Sequence, residues 1–136
     1  MDFEPEVKIL KCGDSAVTVQ FGETADIKTN LKVRALDLAL GQNKIKGVVE
    51  TIPTYRSEMI HYNPLSIRYQ DLCKEIANML SQVNWDSIKP NNQVVIVPIF
   101  YQDPKCEMQA IADYEHITVE EAIQIHTNRD HYAFMM

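Results

Sequence analysis

The stretch Gly47–Tyr62 constrains the fold more than any other part of the chain. Two short β-rich runs, Val48–Thr54 and Met59–Tyr62, flank a polar connection, Tyr55-Arg56-Ser57-Glu58. The first run carries β-branched side chains at Val48, Val49, Thr51, Ile52 and Thr54, which suit a pleated, half-buried surface. Pro53 removes a backbone donor, so this run belongs at a sheet edge, a strand end or a bulge. The pattern predicts a hairpin that presents Tyr55 and Arg56 at its tip. Large contact area and directed donors give such a tip the chemistry of a recognition point. An ordinary solvated loop is the alternative.

The rest of the chain supplies partners for this hairpin. Glu6–Lys11 and Ala16–Phe21 alternate apolar and polar residues around a Gly13-Asp14-Ser15 turn signal, which predicts a second β-hairpin. Asp14 reads as a turn former rather than a catalytic acid. Thr24 or Asp26 can cap a helix over Ile27–Leu40, with Ile27, Leu31, Ala35 and Leu38 on one stripe, Leu36, Ala39 and Leu40 widening it, and Gly41 placed to end it in a left-handed cap. Asn30, a poor helix former, lies inside this helix. Either a side-chain bond to a neighbouring loop or plain exposure accounts for it.

After Asn63-Pro64, Ser66 is a candidate cap for a second amphipathic helix with Tyr69, Leu72, Ile76, Met79, Leu80 and Val83 on its stripe. Trp85 then covers the helix terminus or a domain junction. The resulting order, β-β-α-β-β-α, predicts an α+β fold: a two-layer sandwich with helices on one face of a four-stranded sheet.

Lys89-Pro90-Asn91-Asn92 is the linker signal, which divides the chain into an N-terminal domain, residues 1–89, and a second segment, residues 90–136. There Gln93–Phe100 is continuously apolar and predicts a strand buried on both faces, with Pro98 at an edge or bulge. Asp103-Pro104 turns the chain. Met108–Tyr114 is a short helix candidate, and Thr118 with Glu121 forms a capping box for a further helix ending at His126. His131–Met136 resembles the start of another strand. A lone strand cannot close a barrel, and dimerisation by strand pairing through this incomplete segment is one outcome of an unpaired apolar strand.

Composition narrows the functional classes. With a formal net charge of −6 and no cluster of basic residues, a general nucleic-acid surface is excluded. The acidic start and the lack of a long apolar run exclude a signal peptide and a membrane span. Three cysteines, Cys12, Cys73 and Cys106, without a C-x-x-C pair, suggest free, buried thiols in a reducing cytoplasm. There is no P-loop, G-x-G-x-x-G, H-E-x-x-H or G-x-S-x-G motif, and only four glycines. Of the histidines His61, His116, His126 and His131, the last two could hold a metal only with a distant third ligand, so no metal site is expected.

Several blocks resemble one family. Gly47–Ser57 fits Gly-Val-x-Glu-x-Ile-Pro-Thr-Tyr-Arg-Ser. Gly13-Asp14-Ser15-Ala16 with Phe21-Gly22, Asn30-Leu-Lys-Val33, Val97-Pro98-Ile-Phe-Tyr101 and Thr118–His126 followed by Tyr132 occur in family order. Together they resemble the family that contains the 5-oxoprolinase B-subunit, allophanate hydrolase subunit 1 and the histidine-kinase inhibitor KipI.

The resemblance implies a compact N-terminal α/β domain followed by the incomplete start of a cyclophilin-like β-barrel domain. Lys105-Cys106-Glu107-Met108 departs from the Gly-Pro-Asp-Leu expected there, keeping the acid and losing the turn. The resemblance further implies a subunit of a bacterial ATP-dependent 5-oxoprolinase complex, not active alone, with ATP needed by the complex and no cofactor bound by this chain. Other subunits of the hydrolase are then its partners. A KipI-type inhibitor of a sporulation sensor histidine kinase and an allophanate hydrolase subunit 1 are the alternatives. Candidate cleft or interface residues are Glu50, Tyr55, Arg56, Ser57 and His126. A cross-strand ion pair explains Glu50 equally well, and a charge at a helix C-terminus explains His126.

Overall fold

The computed structural model describes residues 7–85, 88–89, 93–103 and 105–135. Two compact units emerge, one of Met1–Asn91 with Phe134–Met136 and one of Asn92–Ala133. Pro90, Asn91 and Asn92 of the expected linker, and Pro104 of the expected turn, lie outside the described residues.

The first unit is the expected α+β sandwich. Strands β1 (Lys8–Cys12) and β2 (Ala16–Gln20) form one hairpin, and β3 (Val48–Pro53) and β4 (Ser57–Tyr62) the other. They pair antiparallel in the order β1-β2-β4-β3. Gly13, at φ +64°, makes the first turn possible. Pro53 is the last residue of edge strand β3, where its missing N–H removes no central ladder bond.

Helices α1 (Ile27–Gln42) and α2 (Tyr69–Gln82) cover one sheet face. Val17, Val19, Phe21, Ile60 and Tyr62 meet Val33, Leu36, Leu40, Leu72 and Ile76 in one buried core. Trp85 packs edge-on against Phe21, with ring centroids 6.0 Å apart.

Asp26 caps α1, its carboxylate accepting from Thr29 N–H at 2.9 Å. The buried row of this helix shares Ala35, Leu36 and Leu40 with the apolar stripe read above and departs from it elsewhere. Asn30, Val33, Leu36 and Leu40 point inward, while Ile27 and Leu38 are exposed. The hydrogen bonds of Asn30 described below satisfy this polar residue on the buried face. Gly41 does not end the helix. Asn43 N–H closes the last turn on Ala39 O at 2.8 Å, so no left-handed residue is needed.

Ser66 does not cap α2, which starts from Arg68 without a side-chain cap. Ser66 N–H instead donates to Asn63 O within the preceding turn. Cys12, Cys73 and Cys106 are free, but none is buried as expected: Cys12 is exposed on edge strand β1, and Cys73 and Cys106 are half-buried.

The second unit contains α3 (Met108–Glu115) and α4 (Val119–Thr127). Thr118 and Glu121 form the expected capping box, with Glu121 N–H donating to Thr118 Oγ1 and Thr118 N–H to Glu121 Oε2. Those bonds to the ionised carboxylate lower the pKa of Glu121. Cys106 N–H donates to Asp103 O, so Asp103 turns the chain ahead of α3.

Two strand expectations fail. Residues 93–100 form no strand among the described residues, and Val94–Val97, Ile99 and Phe100 are exposed. Residues 131–135 form none either. A strand is defined by its neighbour's hydrogen bonds, and neither segment pairs with a strand among the described residues.

Candidate functional site

The tip of the second hairpin is a dense hydrogen-bonded knot. Thr54 N–H donates to Ser57 O at 2.8 Å, Ser57 N–H to Thr54 Oγ1 at 3.2 Å, and the two hydroxyls lie 3.0 Å apart. Asn30 reaches across from α1. Its Nδ2 donates to Thr54 O and Tyr55 O, both at 3.3 Å, and to Phe134 O at 2.9 Å. A single buried amide thus ties the helix, the hairpin loop and the Phe134 segment together. Of the two readings of Asn30, the bond to a loop is the one realised.

Arg56 is engaged in the same way. Its Nη1 donates to Glu23 O at 2.7 Å and lies 3.4 Å from Glu23 Oε2, while its Cζ sits 5.5 Å from the Tyr55 ring centroid. Glu23 also receives Lys8 Nζ at 3.4 Å and Gln20 Nε2 at 3.1 Å. The guanidinium therefore anchors the loop before α1, and the partly exposed Tyr55 ring is the contact surface left at the tip.

The structure brings Tyr55, Arg56 and Ser57 together and leaves Glu50 apart from them. Glu50 is exposed in the middle of β3, in register with His61. Alternation puts it on the sheet face away from the helices.

Glu58 is not among the candidates named from sequence, because the polar connection read there runs through it. It is the second residue of β4 and completely buried, on the inward face with Ile60 and Tyr62. Its register neighbours are Val19 and Pro53. Neither carboxylate oxygen finds a hydrogen-bond partner among the described residues. Burial first, and the charge of Asp37 second, push its pKa up to about 8, so the carboxyl is held neutral near pH 7. Asp37 itself accepts from Thr51 Oγ1 at 3.0 Å. The signal is present in the sequence: extending the period-2 pattern of Ile60 and Tyr62 back by one step selects Glu58.

In the second unit, His126 belongs to a cluster with Tyr101 and His131. The Tyr101 hydroxyl and His126 Nδ1 are 2.5 Å apart, and their rings meet edge to face at 5.9 Å. His131 Nε2 lies 2.8 Å from the His126 carbonyl, which can only accept, so that nitrogen carries a proton. The His126 and His131 rings are 5.3 Å apart. With Tyr101 as donor, His126 is the neutral tautomer with its proton on Nε2, and it can release that proton when Nδ1 takes the Tyr101 proton in the same step. Spacing along the chain does not pair Tyr101 with His126. Among the described residues, no three His, Cys, Asp or Glu side chains converge to hold a metal ion.

A depression of about 600 Å³ in the first unit runs past Lys44, Lys46, Glu75 and Asn78 and includes none of the candidate residues. No helix among the described residues is long and apolar enough to cross a membrane.

Comparison with known proteins places these features in a family. Residues 7–136 match the family described as carboxyltransferase domain, subdomain C and D. The chain is 24% identical over 140 residues to the 5-oxoprolinase B-subunit of Bacillus subtilis (strain 168), covering 95% of this chain and 58% of that protein. It is 24% identical over 136 residues to urea amidolyase of Lachancea kluyveri, covering 97% of this chain and 7% of that protein. The chain thus spans little more than half the length of the first of these curated relatives, and a small part of the second. The N-terminal domain of the histidine kinase inhibitor KipI from Bacillus subtilis shares the fold, with a TM-score of 0.52, 20% identity, and coverage of 62% of this chain and 95% of that one. With a match spanning nearly its whole length, the chain belongs to the carboxyltransferase domain, subdomain C and D, family.

Proposed function

We propose that this chain acts as a subunit of an ATP-dependent 5-oxoprolinase, opening 5-oxoproline to glutamate together with partner subunits in the cytoplasm. The observation that carries this reading is the similarity, over 95% of the chain, to the B-subunit of 5-oxoprolinase. The Tyr101–His126 pair is consistent with it. Ring opening breaks the amide C–N bond, and the departing nitrogen must gain a proton. An imidazole within reach of that nitrogen can give it the Nε2 proton while Nδ1 takes the phenol's proton, and the resulting phenolate regains one from water.

On this reading ATP belongs to the complex rather than to the glycines of this chain. Gly13 serves a hairpin turn, Gly41 lies inside α1 and Gly47 precedes β3. Gly22 leads to α1, but Asp26 already occupies that helix N-terminus and Glu23 stands beside it. No glycine-built phosphate cradle results among the described residues. The reading gives nucleotide handling to partner subunits.

The test is reconstitution. The chain is purified with candidate partner subunits, and ATP-dependent release of glutamate from 5-oxoproline is measured. His126→Gln should lower turnover by about 10²-fold or more while the complex still assembles. A complex without glutamate release would sink the enzymatic reading, and unchanged turnover in His126→Gln would remove His126 from the chemistry.

A second reading is favoured by the fold shared with nearly the whole KipI N-terminal domain. On that reading the chain binds a sensor histidine kinase, and inhibition of kinase autophosphorylation is the assay that supports it.

A further inference from the structure

His131 meets His126 at two points. Its Nε2 lies 2.8 Å from the His126 carbonyl oxygen, and the two ring centroids are 5.3 Å apart with an interplanar angle of 58°. Neither contact follows from helix geometry, because α4 ends at Thr127 and His131 lies beyond it. We propose that His131 is a positioning residue that caps the end of α4 and walls the His126 imidazole, so that Nδ1 stays on Tyr101 and Nε2 stays presented for proton transfer. The geometry stands by itself, and its catalytic consequence rests on the reading of His126 given above.

His131 serves first as a helix cap. The last carbonyls of a helix have no N–H from a following turn to accept. At α4 the Ile123 carbonyl accepts from the Thr127 hydroxyl and the Gln124 carbonyl from Asn128 N–H. The His126 carbonyl is served by the His131 imidazole, which returns to the helix end after Asn128-Arg129-Asp130. A carbonyl only accepts, so His131 Nε2 carries a proton whether the ring is neutral or charged.

The same bond makes the ring a wall. His126 is exposed, and exposed side chains change rotamer within picoseconds to nanoseconds. A helical histidine has two common χ1 wells and about two ring orientations at χ2, so about four arrangements compete. The observed one sets Nδ1 on the Tyr101 hydroxyl. That hydrogen bond alone is a pivot about which the imidazole can turn. The Tyr101 ring, edge-on at 5.9 Å, and the His131 ring together fix its plane. Because His131 is fastened to the backbone of His126 itself, its ring stays beside the imidazole it confines. A cap alone needs only a donor, whereas an imidazole supplies a donor and a flat ring together.

The test is nuclear magnetic resonance on the 15N-labelled 136-residue chain at about pH 9, where imidazoles are uncharged. His126 and His131 should each show the ring shifts of a single tautomer with its proton on Nε2. His131→Ala should leave circular dichroism unchanged, move the His126 ring shifts toward those of a free imidazole, and weaken the Overhauser contact between the Tyr101 and His126 rings. His131→Gln separates wall from cap. Its amide still donates to the carbonyl but brings no ring, so His126 should stay averaged. In the reconstituted complex both variants should lower kcat by about two- to four-fold with KM unchanged, since the imidazole is then shared among its competing arrangements. A single-tautomer His126 in His131→Ala, full restoration by His131→Gln, or an unchanged kcat would each overturn the proposal. A parent complex that releases no glutamate would sink the 5-oxoprolinase reading instead, and the ring shifts of the chain alone would then decide the positioning role.

Discussion

Replacing Glu58 by Leu should stabilise the first unit, and by an amount that grows with pH. Glu58 is fully buried with both oxygens unpartnered among the described residues. Its strand neighbours Val19 and Pro53 carry no charge, and the charge facing it from α1 is that of Asp37. Its pKa is raised from 4.5 to about 8. The sign follows from proton counting. Between those two values the unfolded chain has released the proton that the folded chain keeps, so stability falls as pH rises. The contribution is fully present below pH 4.5 and exhausted above pH 8. The maximal slope is about 1.4 kcal/mol per pH unit, so the loss between pH 5 and pH 8 is about 3 kcal/mol, a large share of a typical domain's stability. Leu has a similar volume, no charge and no need of a partner.

Urea unfolding at pH 5, 6, 7 and 8, followed by Trp85 emission, reads this unit, because the chain's single tryptophan packs on Phe21 in its core. The stability difference between Glu58→Leu and the parent should widen by about 3 kcal/mol over that range. Asp37→Asn should flatten part of the parent's slope by removing the second cause of the shift. A difference that stays constant with pH within about 0.5 kcal/mol would refute the reasoning, since it would mean that Glu58 is solvated or paired and ionises normally.

Two further outcomes test the packing around the hairpin. Asn30→Ala should cost about 2–3 kcal/mol in urea unfolding with an unchanged m-value, because it removes the donor shared by Thr54 O, Tyr55 O and Phe134 O from a residue only 1% exposed; a change below about 0.5 kcal/mol would show that water replaces it. Gly47→Ala should lower the midpoint of thermal unfolding by about 5–15 °C, since Gly47 has φ +100° and an added Cβ would lie 2.7 Å from Ile67 Cγ2; an unchanged midpoint would mean that the turn before β3 relaxes freely.

The parts of the fold that local chemistry decides can be read from the sequence. Both hairpins, the Asp26 cap, the Thr118–Glu121 capping box and the place of Pro53 depend on neighbours a few residues away. What cannot be read depends on distant partners. The inward place of Asn30 on α1 goes with its bonds to residues 54, 55 and 134, which apolar periodicity alone does not reveal. The Tyr101–His126 contact joins residues 25 apart, with no spacing rule to connect them.

Glu58 and Val94–Phe100 are the instructive pair, because each breaks the rule that pattern and environment agree. Glu58 is a charged residue type in an apolar slot, legible once β4 is taken to start at Ser57. Val94–Phe100 is an apolar run in a solvated setting. The first mismatch is absorbed within the chain by keeping the carboxyl protonated, so its signature is a pH-dependent stability. The second cannot be absorbed by protonation or rotamer choice, because hydrocarbon has no alternative form to adopt.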